Sequence, residues 1–573
     1  MSATSISRLV VSTVAPYFQS LLQLDLNTLF RVAFSVAKSV VKGLEWLAAP
    51  RLIGQLLYRY MVCLAVLYVG HKSTVAAAAV LRKYTSLVMS QVSIMLGSGG
   101  SARAAAKQVA LTKKIGRAKT YEAWAELAKQ LDAVEGSSAW KYSADSPFYD
   151  QHRIASNLQQ LRHLVDTRNL SQLMFFLRSR LRRNLHGIDN SLLYAHLRVG
   201  TKALIEDYIA EVCVALQTVC SQDSEAVSLE SRLTFFNETR HAYGRTALLF
   251  SGGGTLGLYH TGVLKALLQQ GLLPDIVCGS SAGSIFAALA GSKTSEEMLE
   301  MIEANDFSLA FFHPPNRPES VWTRVQRCWR TGAFFSIASL QSSLKVMLGE
   351  LTFKQAFQRT GRILNIPVSP SVRNFNSYLL LNYLTSPNVL LWSAVSASCA
   401  IPGIFPSVGL LAVNENGETV PFHMEGVTWI DGSFESDLPL QTLSQMFNVN
   451  HFIVSQVNPH VLPFIYPNEY ASGVIQDIVR MLLCQFKSFF ENTLKLPVLS
   501  HRLSLLRPLL SQSYRGDITL IPRGWSWRDF LALLSNPSKA DVKSRMRRSE
   551  VSTWPQVARD LPLLSTRDLP ALL

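Results

Sequence analysis

One stretch constrains the fold of this 573-residue chain more than any other. Residues 245–291 read "RTALLFSGGGTLGLYHTGVLKALLQQGLLPDIVCGSSAGSIFAALAG". A short apolar strand ends in glycines, and an amphipathic helix follows, closed by Gly271. "PDIVCGS" is a second strand and "AGSIFAALAG" a second helix. Strand–helix alternation at this spacing predicts an α/β domain with a mostly parallel sheet and crossover helices.

Two motifs sit at the strand ends. Gly252, Gly253, Gly254 and Gly257 form a glycine loop between strand and helix. It reads as a dinucleotide fingerprint, an oxyanion hole or a tight turn. The fingerprint also wants an acid at the end of the next strand, and here that strand ends Cys278-Gly279-Ser280. In an oxyanion hole, side-chain-free residues let backbone N–H groups converge beside a helix N-terminus. Ser281 lies between Gly279 and Gly283 in a strand–turn–helix setting, which is what a nucleophile elbow requires. Ser280 is its rival, but the elbow places the central residue of GxSxG at the tip. A serine needs a base. In "VTWIDGSFESDLPL", Asp431 ends an apolar strand before Gly432, and Asp437 lies six residues on. Asp431 reads either as that base or as a turn former. His241 and His460 are candidates for a third member, with structural turn roles as the alternative.

Composition limits the partners. Apolar residues make up 48% and charged residues 17%, which gives ample core and excludes a disordered chain. The net charge of +15 suits an anionic surface. No zinc-finger, RRM or basic heptad pattern supports nucleic acid as a partner. The seven cysteines are scattered without a CxxC pair, so they predict free thiols rather than a disulfide framework or metal site.

Four regions follow from texture. Residues 1–118 are apolar and basic. No acid occurs between Glu45 and Glu122, while eleven Lys and Arg residues do. The runs "MVCLAVLYVG" (61–70) and "TVAAAAVL" (74–81) are too short to span a bilayer, so they predict short helices at a lipid surface; a pair of soluble core helices is the alternative. Residues 119–245 carry helical periodicity, with "SADSPFYD" placed to cap a helix. Residues 246–450 hold the α/β pattern, with an aromatic insertion at 306–350. Residues 451–573 read as a mainly helical extension packing on that domain.

The set "GGGTLG", "GSSAG" and "DGS", in that order, resembles the patatin-like phospholipases. "WKYSADSPFYD", "GTKALIEDYIAEV", "LTFKQAFQRTGRILNI", "SAVSASCAIPGIFP" and "YRGDITLIP" extend the resemblance over residues 120–560. They resemble its triacylglycerol-lipase branch, that of yeast lipid-droplet and plant oil-body lipases. The resemblance implies a three-layer α/β/α core and a Ser281–Asp431 dyad that needs no histidine. It implies an oxyanion hole at Gly253 and Gly254, and neither cofactor nor metal. Thr255 and Leu256 replace the basic residue of many patatins, and DGS replaces DGG or DGA, as in the lipase branch. The absence of a His-x4-Asp motif leaves hydrolysis rather than acyl transfer as the implied reaction. The implied partners are a neutral lipid substrate and a phospholipid monolayer or membrane surface. The implied location is the lipid droplet or the cytosolic face of the endoplasmic reticulum, with mitochondrial targeting the weaker expectation. A phospholipase or lysophospholipase, and a catalytically weak droplet scaffold, are the alternatives.

Overall fold

A computed structural model of the chain describes residues 100–564, apart from 222–226, 309, 315–319, 372–377, 423–426, 433–437, 460, 462–514 and 525–526. The apolar runs at 61–70 and 74–81, Asp437 and His460 lie outside the described residues. The chain divides into two compact units, residues 1–113 with 463–493 and residues 114–462 with 494–573. Helix α1 (Gly100–Ile115) supplies the described part of the first. No helix among the described residues is long and apolar enough to cross a membrane.

The second unit opens with helices: α2 (Tyr121–Val134), α3 (Ser137–Tyr142), α4 (Gln151–Asp166), α5 (Leu170–Arg180), α6 (Ala203–Ser221) and α7 (Leu229–Tyr243). Local chemistry starts them. Thr120 caps α2 by accepting the Ala123 N–H, and Asp150, from the turn-rich "SADSPFYD", caps α4 by accepting that of Arg153. Apolar residues three and four apart then share one face. Ile154, Leu158 and Leu161 on α4 meet Leu173 and Leu177 on α5 and Ile205, Val212 and Leu216 on α6 in one buried cluster. Each such side chain stabilises the fold by about 1.5–3 kcal/mol on burial, so Leu161→Ala would cost about 2–5 kcal/mol.

The texture changes at Arg245. Strand β1 (Arg245–Phe250) leads through the glycines to α8 (His260–Gln269), β2 (Ile276–Gly279) and α9 (Ala282–Ser292). Helices α10 (Ser295–Ala304), α11 (Val321–Thr331), α12 (Ile337–Leu348) and α13 (Phe353–Thr360) precede β3 (Ile363–Pro370) and β4 (Leu379–Leu381). Then come α14 (Leu391–Ser398), the small hairpin β5 (Leu411–Val413) and β6 (Thr419–Pro421), and β7 (Trp429–Asp431). Helix α15 (Leu440–Phe447), β8 (Val449–Ser455), β9 (Ile518–Leu520), α16 (Trp527–Leu531) and α17 (Lys539–Leu564) complete the unit.

Among the described residues the main sheet has seven strands, ordered β4-β3-β2-β1-β8-β9, with β7 also paired to β3. The β3–β2–β1–β8–β9 pairings are parallel. That arrangement buries both strand faces, which is why β1 reads "ALLF" and every residue of β3 is buried. The far half of β3 pairs antiparallel with β4 and β7. Strand β8 crosses residue 450, and β9, from the expected extension, widens the same sheet. Helix α17 packs on α8, where a Cβ at Gly262 would stand 2.1 Å from the Met546 carbonyl oxygen.

Register fixes where chemistry can gather. Phe250, the last residue of β1, lies beside Gly279 of β2 and Ser455 of β8. The glycine loop, the serine turn and residues 456–458 therefore leave the sheet at one carboxyl edge, the place where open parallel sheets bind ligands.

Candidate active site

Ser280 and Ser281 link β2 to α9, and Ser281 adopts φ 52° and ψ −128°. A serine there is strained by about 1–3 kcal/mol, and such strain persists only where the surroundings hold it. Three groups do. The Ser281 N–H donates to Ser398 Oγ at 3.1 Å. The Ser281 carbonyl accepts from Ser284 Oγ at 2.6 Å and from Cys399 Sγ at 3.3 Å. The turn also needs bare backbone on both sides. A Cβ at Gly283 would sit 2.2 Å from the Phe250 carbonyl oxygen, and one at Gly279 would sit 2.3 Å from that of Gly283. Ser281 retains 5% exposure, whereas neighbouring Ser280 is wholly buried with its N–H on the Phe250 carbonyl.

The loop and the serine touch. A Cβ at Gly252 would lie 3.1 Å from that of Ser281, and one at Gly257 would lie 3.0 Å from that of Ala282. Gly253 faces the Val457 carbonyl, which a Cβ would meet at 2.9 Å. Gly254 has φ 55°, a left-handed conformation that L side chains rarely adopt. A 3-10 helix from Gly254 to Tyr259 then leads into α8.

Asp431 lies on a strand paired with the far half of β3. It ends β7, is fully buried, and pairs with Val368. Its N–H donates to the Ala400 carbonyl at 3.1 Å. Ser398 Oγ, which receives the Ser281 N–H, donates in turn to the Pro367 carbonyl at 3.1 Å, one residue before Val368. The three residues Ser398, Cys399 and Ala400 thus fasten both the serine turn and the aspartate strand. Burial, with the Asp431 carboxylate adding to it, pushes the Cys399 thiol well above its ordinary value, so Cys399 stays protonated. Nothing in "SASCA" announced this task; the small size of its residues was the available signal.

Two further supports lie under the glycine loop. His260 is buried, with Nε2 3.0 Å from the Ser251 carbonyl and Nδ1 2.7 Å from Ser455 Oγ. A carbonyl only accepts, so Nε2 carries the proton and Nδ1 accepts from Ser455. Burial pulls its pKa from 6.5 to about 4, leaving it neutral. The second support comes from the C-terminal helices. Thr255 donates its N–H to the Leu533 carbonyl at 3.1 Å and its hydroxyl to that of Ala532 at 2.7 Å. Its own carbonyl accepts from Arg545 Nη1 at 3.0 Å. Arg545 pairs with Asp529 at 3.0 Å, both almost fully buried, and Arg548 and Tyr259 also bond that carboxylate. His241 lies elsewhere. It is exposed before the opposite end of β1, where its carbonyl accepts from Asn448.

Residues 248–444 match the family described as patatin-like phospholipase, and residues 101–241 match a domain of unknown function, DUF3336. Triacylglycerol lipase SDP1L of Arabidopsis thaliana is 37% identical over 454 residues, 77% of this chain and 55% of that protein. Triacylglycerol lipase 4 of Saccharomyces cerevisiae is 38% identical over 461 residues, 77% of this chain and 50% of that protein. The chain spans about half the length of these two relatives. Triacylglycerol lipase ptl3 of Schizosaccharomyces pombe is 36% identical over 448 residues, 77% of this chain and 92% of that protein.

Proposed function

The chain belongs to the patatin-like phospholipase family, and on that premise we propose that it is a serine lipase hydrolysing triacylglycerol to diacylglycerol and a fatty acid. One observation carries the reading. Ser281 is held in a strained strand-to-helix turn against Gly252, and residues 398–400 tie that turn to the strand ending in Asp431.

In the proposed reaction the Asp431 carboxylate takes the Ser281 hydroxyl proton as Oγ bonds to the ester carbonyl carbon. The carbonyl oxygen becomes an oxyanion. The resemblance to patatins implies the Gly253 and Gly254 amides as its donors, and the Thr255 N–H is engaged by Leu533. Such a donor is worth about 3–4 kcal/mol. The tetrahedral intermediate collapses, the ester C–O bond breaks, and the departing alkoxide takes the proton from Asp431 as diacylglycerol leaves. Water then attacks the acyl-enzyme and gives a proton to Asp431. Collapse releases the fatty acid and returns the proton to Ser281. No step calls on a metal or cofactor.

The substrate class rests on the triacylglycerol lipases to which the chain is similar. A lipase for neutral lipid works at a lipid surface, so the proposed location is the droplet or the membrane from which droplets form. The test is fatty-acid release from triolein and from phosphatidylcholine by the purified protein and by Ser281→Ala. Release from triolein that Ser281→Ala abolishes supports the reading. Release from phosphatidylcholine alone replaces it with a phospholipase, and release from neither replaces it with a scaffold.

A further inference from the structure

Helix α11 is built inside out. In a soluble amphipathic helix, tryptophans face the core and arginines face water. Here Trp322 and Trp329 are 74% and 87% exposed. They lie seven residues apart, two turns, on one face. Two of its arginines turn the other way. The Arg324 guanidinium lies over the Phe335 ring, 5.0 Å from its centre, and Arg327 Nη1 donates to the Phe334 carbonyl at 3.1 Å. Arg330 stands exposed beside the tryptophans. The helix is therefore fixed through its charged side and presents two indoles outward.

We infer that α11 docks the protein on an anionic phospholipid surface, seating Trp322 and Trp329 among the headgroups. Charge selects that occupant. No acid occurs in α11, and Arg330 is exposed beside the two indoles. Shape agrees. The indoles protrude from a convex helix instead of lining a groove, so a deformable surface receives them without preformed pockets. Indole is amphipathic, and its ring and N–H suit the boundary between acyl chains and water.

The docking helix is coupled to the serine turn by backbone. Phe334 and Phe335 donate their N–H groups to the Gly403 and Ile404 carbonyls, at 3.0 and 2.9 Å. Those residues come shortly after the 398–400 segment that holds Ser281 and Asp431, past Ile401 and Pro402. Phe312 and Phe335 then pack on Phe405. A surface that receives α11 thus lies a few residues of chain from the carboxyl edge of the sheet.

The inference does not rest on the proposed chemistry, because binding is read on full-length Ser281→Ala protein. Its partition onto phosphatidylcholine vesicles is measured with and without phosphatidylserine. Amide hydrogen exchange across residues 321–331 is followed in parallel. Phosphatidylserine vesicles are expected to slow exchange in α11, and Trp322→Ala/Trp329→Ala to weaken partition by about tenfold or more. The same pair of changes in otherwise unaltered protein should spare hydrolysis of p-nitrophenyl butyrate. Unchanged exchange in α11 on adding these vesicles overturns the inference, since any binding then resides elsewhere in the chain. Equal binding to pure phosphatidylcholine overturns the anionic surface. Slow exchange without lipid that is lost on dilution assigns the face to a second copy.

Discussion

Ser398 holds Ser281 by its backbone: the Ser398 hydroxyl accepts the Ser281 N–H at 3.1 Å and donates its own O–H to the Pro367 carbonyl. Ser398→Ala removes both bonds and strands a buried N–H, at a cost of about 1–3 kcal/mol. The strained turn loosens, so kcat should fall by about 10–100-fold with KM little changed. Ser398→Thr, which keeps the hydroxyl, should recover much of the loss. Kinetics on p-nitrophenyl butyrate, read beside melting curves, check this. A wild-type kcat in Ser398→Ala would show that the bond is dispensable.

If Ser281 and Asp431 act as one unit, their removal is not additive. Ser281→Ala, Asp431→Asn and the double variant should lose activity to nearly the same floor. Ser280→Ala should keep much of it, because that side chain is buried behind the turn. A fluorophosphonate probe that labels Ser281→Ala as strongly as wild type would move the nucleophile elsewhere.

The Thr255 contacts predict that the glycine loop depends on the C-terminal helices. Arg545→Met breaks a buried pair with Asp529 and a bond to the Thr255 carbonyl. It should destabilise the protein by up to about 3–5 kcal/mol. Thr255→Val loses only the hydroxyl bond to Ala532 and separates shape from stability. It should lower kcat severalfold while shifting Tm by a few degrees at most. An unchanged kcat in Thr255→Val would mean that the loop holds its geometry without the extension.

Stability should fall on acidification before most carboxylates titrate. Burial holds His260 at about 4, and burial with the nearby Arg183 holds His451 at about 4. The unfolded chain protonates both near 6.5, so between these values it binds more protons than the folded chain. Stability is therefore fully present above about pH 6.5 and declines toward pH 4, with each group adding a slope approaching about 1.4 kcal/mol per pH unit. Urea unfolding at about pH 7 and pH 5 should show the decline, and His260→Gln should reduce the difference. A His260→Gln difference equal to that of wild type would remove His260 as a contributor.

The sequence displayed the serine turn well, because β2, Gly279, Ser281 and Gly283 are contiguous and every requirement of the bend is local. The parallel sheet was equally legible, since strands buried on both faces become apolar runs. The edges were not. Strand β9 has three residues, and nothing in "ITL" distinguishes it from a loop until it pairs with β8. The 398–400 fastening escaped for another reason. Ser398 meets Ser281 across 117 positions, and a helix of small residues reads as packing. His260 hid the same way, as one polar residue in the apolar face of α8. Long-range polar contacts leave no periodicity to read.

The distance along the chain between Thr255 and its partners has a consequence for biosynthesis. Ribosomes deliver the serine turn well before residues 529–545 emerge. Until then the glycine loop lacks Leu533, Ala532 and Arg545, and β8 lacks its outer neighbour. A nascent or prematurely terminated chain therefore carries the strained serine without the scaffold that aims the loop at it. Competence waits for residues 529–545 to be made.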